Sequence, residues 1–304
     1  MNNNLREAVE VFLVGIAGEV SKSTQEWYGR CLESFVAFLG ADSDLSTVSV
    51  RDIRAYRAHL IDRDMSIFSV HGRQRAVRRL FSWLTEEGLT ERNIALDVPL
   101  VRLPPQPPKA LSDEDMFRLL ERLPAESVRD RAIILFLIDT GCRVGGLCSL
   151  TLGALDLPNQ CATVIEKGNR GRRVYFTDMT TEMLMLWRDV RPEVQTDALF
   201  VTNVGRPLQP NGIRMILQRI GKRAGVTGRI NAHSFRHAFA RNFLRNGGNL
   251  AVLGRLLGHS PGSPVTARFY AVFDDRELQE FHERYSPLAG IGARDTQSPA
   301  HSRK

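Results

Sequence analysis

At 304 residues the chain is long enough for two domains that each bury a core. With 43% hydrophobic and 25% charged residues it reads as a globular chain. Its longest apolar run, 132–138, is far short of the roughly 20 residues of a membrane helix. The net charge is +7, and it is uneven: residues 1–107 hold 13 of the 41 Lys/Arg and 14 of the 34 Asp/Glu, leaving 28 and 20 for the rest. A basic second half permits a nucleic-acid partner without requiring one. The start, MNNNLREAVE, has no basic-then-apolar signal pattern, so a cytoplasmic location is expected. Cysteines at 31, 142, 148 and 161 match no common zinc spacing and are expected to be reduced thiols; no metal and no cofactor are implied.

In chain order, Tyr28, Cys31, Leu32, Phe35 and Leu39 recur at helical spacing, as do Val77, Leu80, Phe81 and Leu84. Between them, 50–60 reads as another helix. On the second of these segments Arg75, Arg78 and Arg79 lie three or four apart and form a basic stripe, suited to a phosphate backbone or to plain solvent. The first domain, residues 1–98, is therefore expected to be all-α. Prolines at 99, 104, 105, 107 and 108 exclude helix and central strand, which marks 99–109 as a linker.

The second domain is expected over 110–290. Ser112 with Asp115 begins a helix in the manner of a capping box. A buried helix follows over 131–140, ended by Gly141. CATVIE and RRVYF, flanking KGNRG, predict a hairpin, and ALFVT a third strand. Helical patterns resume in NGIRMILQRIGKRAG, HSFRHAFARNFLRNGG, LAVLGRLLG, PVTARFYAVF and DDRELQEFHERY; the tail 291–304 lacks periodicity and is expected to be disordered. The fold class is mainly α with a small antiparallel β-sheet.

Phosphodiester exchange without a metal needs a nucleophile, fixed donors for two non-bridging oxygens, and a proton for the leaving oxygen. Arginine suits the phosphate because its planar fork meets two oxygens at once. The second domain holds such a set in short motifs: Arg143 in TGCRVGGLCSL, Lys167 in EKGNRGRR, His233 and Arg236 in HSFRH, His259 in LLGHS and Tyr270 in RFYAVF. Singly, each has a plainer reading, as a surface cation, a helix cap or a core residue. Their order and spacing together are specific.

These motifs resemble the tyrosine recombinase (phage integrase) family, most of all its short two-domain Xer-type members, over roughly 5–288. The resemblance implies a SAM-like helical core-binding domain followed by an α+β catalytic domain. It implies that Arg143 and Arg236 hold the scissile phosphate, Lys167 protonates the leaving 5′-oxygen, His233 and His259 hydrogen-bond the phosphate and assist proton transfer, and Tyr270 forms a 3′-phosphotyrosyl bond. The implied partner is double-stranded DNA, gripped by a tetramer of this chain or a related protomer on two sites, with strand exchange through a four-way junction. The terminal helix, with Leu278 and Phe281 on one face, would dock into a neighbouring protomer. Candidate DNA contacts are Arg75, Arg78, Arg79, Arg214, Arg219 and Lys222.

The pattern departs in three places. Gly146 stands where the first-arginine motif usually carries an acidic residue that supports the arginine; Asp139 and Glu166 are two that could replace it. The stretch from His259 to Tyr270 is long and holds Pro261 and Pro264, and Cys142 replaces an apolar residue. Gly146 keeps open a DNA-binding relative that does not cut, and the shared chemistry keeps open a type IB topoisomerase-like relaxer.

Overall fold

The computed structural model describes residues 4–104, 110–166, 170–260 and 275–285. The chain divides into two compact units, residues 1–106 and 107–304.

The first unit is helical, as its periodicity predicts. Helices α1 (Leu5–Gly15), α2 (Lys22–Leu39), α3 (Val50–Asp62) and α4 (Ile67–Glu86) each start at a polar side chain, Asn4, Ser21, Ser49 or Ser66, that accepts a backbone N–H of the first turn. Their apolar faces meet in a core that includes Leu5, Phe12, Leu32, Phe35, Tyr56, Leu80 and Phe81. Phe12 meets Tyr28 and Trp83 edge-on at 5.6 and 5.7 Å between centroids. Helix α1 was not anticipated from the sequence. The chain leaving this unit is fastened to α4: buried Gln74 donates to Pro99 O at 3.3 Å and accepts from Val101 N at 2.9 Å.

The second unit is built round α6 (Val128–Thr140), which is apolar on nearly every side and has a run of buried residues from Ala132 to Leu137. It ends at Gly141, whose φ of 55° is left-handed and whose α-carbon faces Phe239 so closely that a β-carbon would stand 2.8 Å from the ring. α5 (Asp113–Arg122) precedes it, capped by Ser112 as the motif predicts. α7 (Val144–Cys148) follows at once. The sheet is β1 (Leu155–Asp156), β2 (Cys161–Glu166) and β3 (Arg170–Tyr175), antiparallel in that order, with Val164 opposite Arg172 and Glu166 opposite Arg170. The hairpin is as read from the sequence. The third strand is not: it is 155–156, whereas 198–202 makes only isolated bridges, Thr151 to Ala198 and Val201 to Pro207. Buried Leu199 and Phe200 pack against Trp187, whose indole N–H donates to Leu199 O, so the β-rich composition there reflects core packing.

α8 (Asp178–Val190), which the sequence reading passed over, packs on α6; α9 (Pro210–Arg223), α10 (Ala232–Arg245), α11 (Leu250–Leu256) and α12 (Asp275–Tyr285) complete the unit. No helix among the described residues is long and apolar enough to cross a membrane. The PVTARFYAVF segment, the Lys167 turn and the tail after 290 lie outside the described residues.

Candidate active site

Three segments bring the predicted phosphate-binding groups together. The first is the exit from α6. Gly141 turns the chain, and Arg143 caps α7 in extended conformation, its side chain 41% exposed. The second is the start of α10. Asn231 accepts from the backbone N–H groups of His233 and Ser234, and Ser234 answers to the backbone of Asn231, a reciprocal cap that fixes the first turn. That places His233 and Arg236 one turn apart. The third is the end of α11, after which Gly258 turns left-handed (φ 67°) into His259.

Arg236 joins the first segment to the third. Its guanidinium is buried and donates to Gly141 O at 3.0 Å, to Leu257 O at 2.6 Å and to His259 Nε2 at 3.0 Å. Accepting from an arginine requires a lone pair on Nε2, so the His259 proton sits on Nδ1 when the ring is neutral. The electrostatics agree. Burial, then the Arg236 and Arg143 charges, push the His259 pKa down to about 4. Burial and the same two arginines also lower His233. His237, one turn further along α10 with its ring 4.5 Å from that of His233, is pushed down to about 4 by burial, then by His233 and Arg236. Both histidines of the predicted set thus feel both arginines of the set.

Glu166 completes the cluster. Its side chain is 8% exposed and pairs with the Arg143 guanidinium; it also accepts from Arg143 N at 3.4 Å and from Arg172 Nη2 at 3.0 Å. Burial opposes the charged form, yet hydrogen bonding from Arg172 and the charges of Arg172 and Arg143 hold this carboxyl below its ordinary range. Of the two acidic residues considered for Arg143, Asp139 is engaged elsewhere, accepting from Thr177 N, Thr177 Oγ1 and Thr180 Oγ1 at the start of α8. Sequence reading passed over Arg172; its place diagonally across the hairpin from Glu166, on the same face, was the available signal. Lys167 and Tyr270 lie outside the described residues.

The candidate DNA contacts divide. Arg75, Arg214 and Lys222 are exposed. Arg78 donates to the carbonyls of Ala95, Leu96 and Val98, at 3.2, 3.5 and 2.7 Å, and so ties α4 to the chain that follows. Arg79 pairs with Glu86 at 3.3 Å and Glu19 at 3.8 Å. Arg219 pairs with Asp130 and, at 3.9 Å, with Glu126. The helical stripe predicted from spacing is real, but two of its three members hold protein partners.

The cysteines are unpaired. Cys31, Cys142 and Cys161 are buried, and burial raises Cys142 and Cys148 to about 11. Among the described residues no group of three or more His, Cys, Asp or Glu is placed to hold a metal ion.

Comparison with known proteins agrees with the sequence reading. Residues 109–276 match the model of the phage integrase family, and residues 12–88 match the phage integrase N-terminal SAM-like domain. A tyrosine recombinase XerC of Alcanivorax borkumensis is 29% identical over 298 residues, covering 95% of this chain and 96% of that protein. In fold the chain is similar to the Tn1549 transposon integrase solved with transposon right end DNA, at 17% identity and a TM-score of 0.77, over 93% of this chain and 99% of that one. It is likewise similar to a lambda integrase tetramer solved on a Holliday junction, at 16% identity and a TM-score of 0.73, over 90% and 78%. The chain belongs to the phage integrase family and is a tyrosine-type site-specific DNA recombinase.

Proposed function

We propose that Arg143, Lys167, His233, Arg236, His259 and Tyr270 form one active centre that cleaves and reseals double-stranded DNA. The observation that carries this is the gathering of Arg143, Arg236, His233 and His259 from three chain segments, with Arg236 hydrogen-bonded to His259 and both histidines within the field of both arginines. The two guanidiniums take the non-bridging oxygens of the scissile phosphate and the charge that grows on them. The Tyr270 oxygen attacks phosphorus and the bond to the 5′-oxygen breaks. Lys167 supplies the proton that the leaving 5′-oxygen needs. A phenol has a pKa near 10, so its proton must pass to an acceptor as it attacks. The neutral imidazole of His259 can accept it once Arg236 has turned to the phosphate and freed Nε2, and His233 serves as a second hydrogen-bonding partner for the phosphate. The product is a 3′-phosphotyrosyl link and a free 5′-hydroxyl. The same steps in reverse, with a 5′-hydroxyl from another strand, reseal the DNA without an external energy source.

Residues 1–98 act as a DNA-gripping domain, joined through 99–109 to the catalytic domain at 110–290. The working unit is a tetramer of this chain or of related protomers on two duplex sites. Leu278 on α12 is about half exposed and is suited to a protomer contact. Arg75, Arg214 and Lys222 are the exposed cations best suited to DNA phosphate.

The test is recovery of covalent protein–DNA adducts under denaturing conditions from cells expressing wild-type chain or Tyr270→Phe, followed by sequencing of the attached DNA. Adducts at a defined site with the wild type and none with Tyr270→Phe are expected. Equal trapping by both rules out Tyr270 as nucleophile. Tight DNA binding with no wild-type adduct marks a binding protein, and plasmid relaxation without two-site recombination marks a relaxer.

A further inference from the structure

We infer that Glu166 and Arg172 are positioning residues that set Arg143 and the His259 end of α11 relative to one another, with Gly146 and Gly258 providing the space they occupy. This rests on the active centre proposed above.

Glu166 holds Arg143 twice, by its guanidinium and by its backbone N–H at 3.4 Å. A side-chain contact alone would leave the backbone at 143 free to turn; the second bond fixes where the side chain starts. Oε1, the oxygen that accepts from Arg143 N, also accepts from Arg172 Nη2 at 3.0 Å. Arg172 in turn donates to Leu256 O at 2.6 Å, at the last residue of α11. The next carbonyl, Leu257 O, accepts from Arg236. Polar contacts therefore run from Arg143 through Glu166 and Arg172 to the α11 terminus, and, across the Leu256–Leu257 peptide, on to Arg236 and His259. In sequence, Glu166 is the immediate neighbour of Lys167.

Two glycines make room for this arrangement. A β-carbon at Gly146 would stand in van der Waals contact with Glu166, 3.4 Å from Cγ and 3.5 Å from Oε1, so a longer side chain directed that way would compete with the carboxylate. Gly146 is three residues after Arg143, about one helical turn along α7, so an acidic side chain at 146 would aim at the spot that Glu166 fills. At Gly258 a β-carbon would stand 2.8 Å from Arg172 Cδ, which bars a side chain on the path Arg172 takes to Leu256. The carboxylate that steadies Arg143 thus comes from the sheet, and the helix position has given up its side chain in exchange.

The test uses the full-length chain and a nicked duplex carrying a site recovered by adduct sequencing. Single-turnover cleavage is scored per DNA-bound molecule, so partial unfolding of a variant does not register as slow chemistry. Glu166→Gln should cleave about 10- to 100-fold more slowly, the usual loss on removing a supporting partner, with DNA affinity little changed. Gly146→Glu alone should also be slow, because two carboxylates then compete for one space. The double swap, Gly146→Glu with Glu166→Gly, should cleave faster than Glu166→Gly alone, a recovery that a general packing role does not produce. Wild-type rates for Glu166→Gln, or a double swap no faster than Glu166→Gly, overturn the inference. Failure of the wild type to form an adduct in the same assay overturns the active-centre reading itself and so is distinguishable.

Discussion

Two of the clusters in which buried carboxylates meet arginines, among the described residues of the catalytic unit, have different consequences. At the first, Asp130 and Glu126, with side chains 2% and 3% exposed, are held by Arg129, Arg219 and Arg223, which ties the start of α6 to α9. At the second, the single carboxylate of Glu166 faces Arg143 and Arg172, and Arg172 and Arg236 bond successive carbonyls at the end of α11. The first has two negative charges against three positive. The second, among the described residues, has one against three, together with histidines whose pKa is lowered by burial and then by that surplus. Nearly balanced charge makes a strap. A fixed surplus, pre-oriented by hydrogen bonds to carbonyls, makes a receptor for an anion, because the cost of assembling like charges has already been met by folding.

The sharpest way to break this comparison is to change one group in each cluster. Arg236→Lys keeps a charge but loses the fork that reaches Gly141, Leu257 and His259 together. Single-turnover DNA cleavage should fall about 10²- to 10³-fold, the loss typical of removing one transition-state donor. Asp130→Asn should act on the other quantity. Unfolding stability, read by urea titration, should drop by about 1–3 kcal/mol as Arg129 and Arg219 lose a charged acceptor, while cleavage per folded molecule stays close to wild type. A large cleavage defect in Asp130→Asn with no loss of stability would erase the distinction between strap and receptor.

A second prediction concerns pH. The folded state lowers His259 from 6.5 to about 4, chiefly by burial and then by Arg236 and Arg143, with Glu166 pulling the other way. Below pH 6.5 the unfolded chain takes up a proton that the folded chain refuses. His259 therefore contributes stability fully present above 6.5 and lost as pH falls towards 4. The ring is only part-buried, so the effect is on the order of 1–2 kcal/mol after allowing for solvent screening. His259→Asn should flatten the decline in unfolding free energy between pH 6.5 and 4. An unchanged slope would mean that neither burial nor the surplus charge lowers the ring's pKa.

The sequence made some of this legible and left some of it closed, for physical reasons. α6 was readable because a helix buried all round needs an uninterrupted apolar run, and Gly141 was readable because a left-handed exit favours that residue. Arg143, His233, Arg236 and His259 stood out through their motifs. The Arg172 contacts did not, because they depend on strand register and on a carbonyl 84 residues away at Leu256. Gly146 looked like a missing part; the compensating carboxylate lies 20 residues on, close only once β2 has folded against α7. ALFVT misled because β-branched and aromatic residues signal burial as readily as strand pairing.

The smallest expected effect separates two arginines that spacing alone treats as equals. Arg75 is exposed on α4, whereas Arg78, three residues on, donates to three carbonyls beyond that helix. If Arg75 meets DNA phosphate, Arg75→Ala should make the dependence of log affinity on log salt shallower by about 0.9, one released counterion, with unfolding stability unchanged. Arg78→Ala should leave that slope alone and lower stability by about 1–2 kcal/mol, since its carbonyl partners lose a charged donor. Equal loss of slope in both variants would mean that Arg78 leaves its carbonyls when DNA binds. The helix would then present the whole stripe that its sequence suggests, and the bonds to Ala95 and Val98 would belong to the DNA-free state alone.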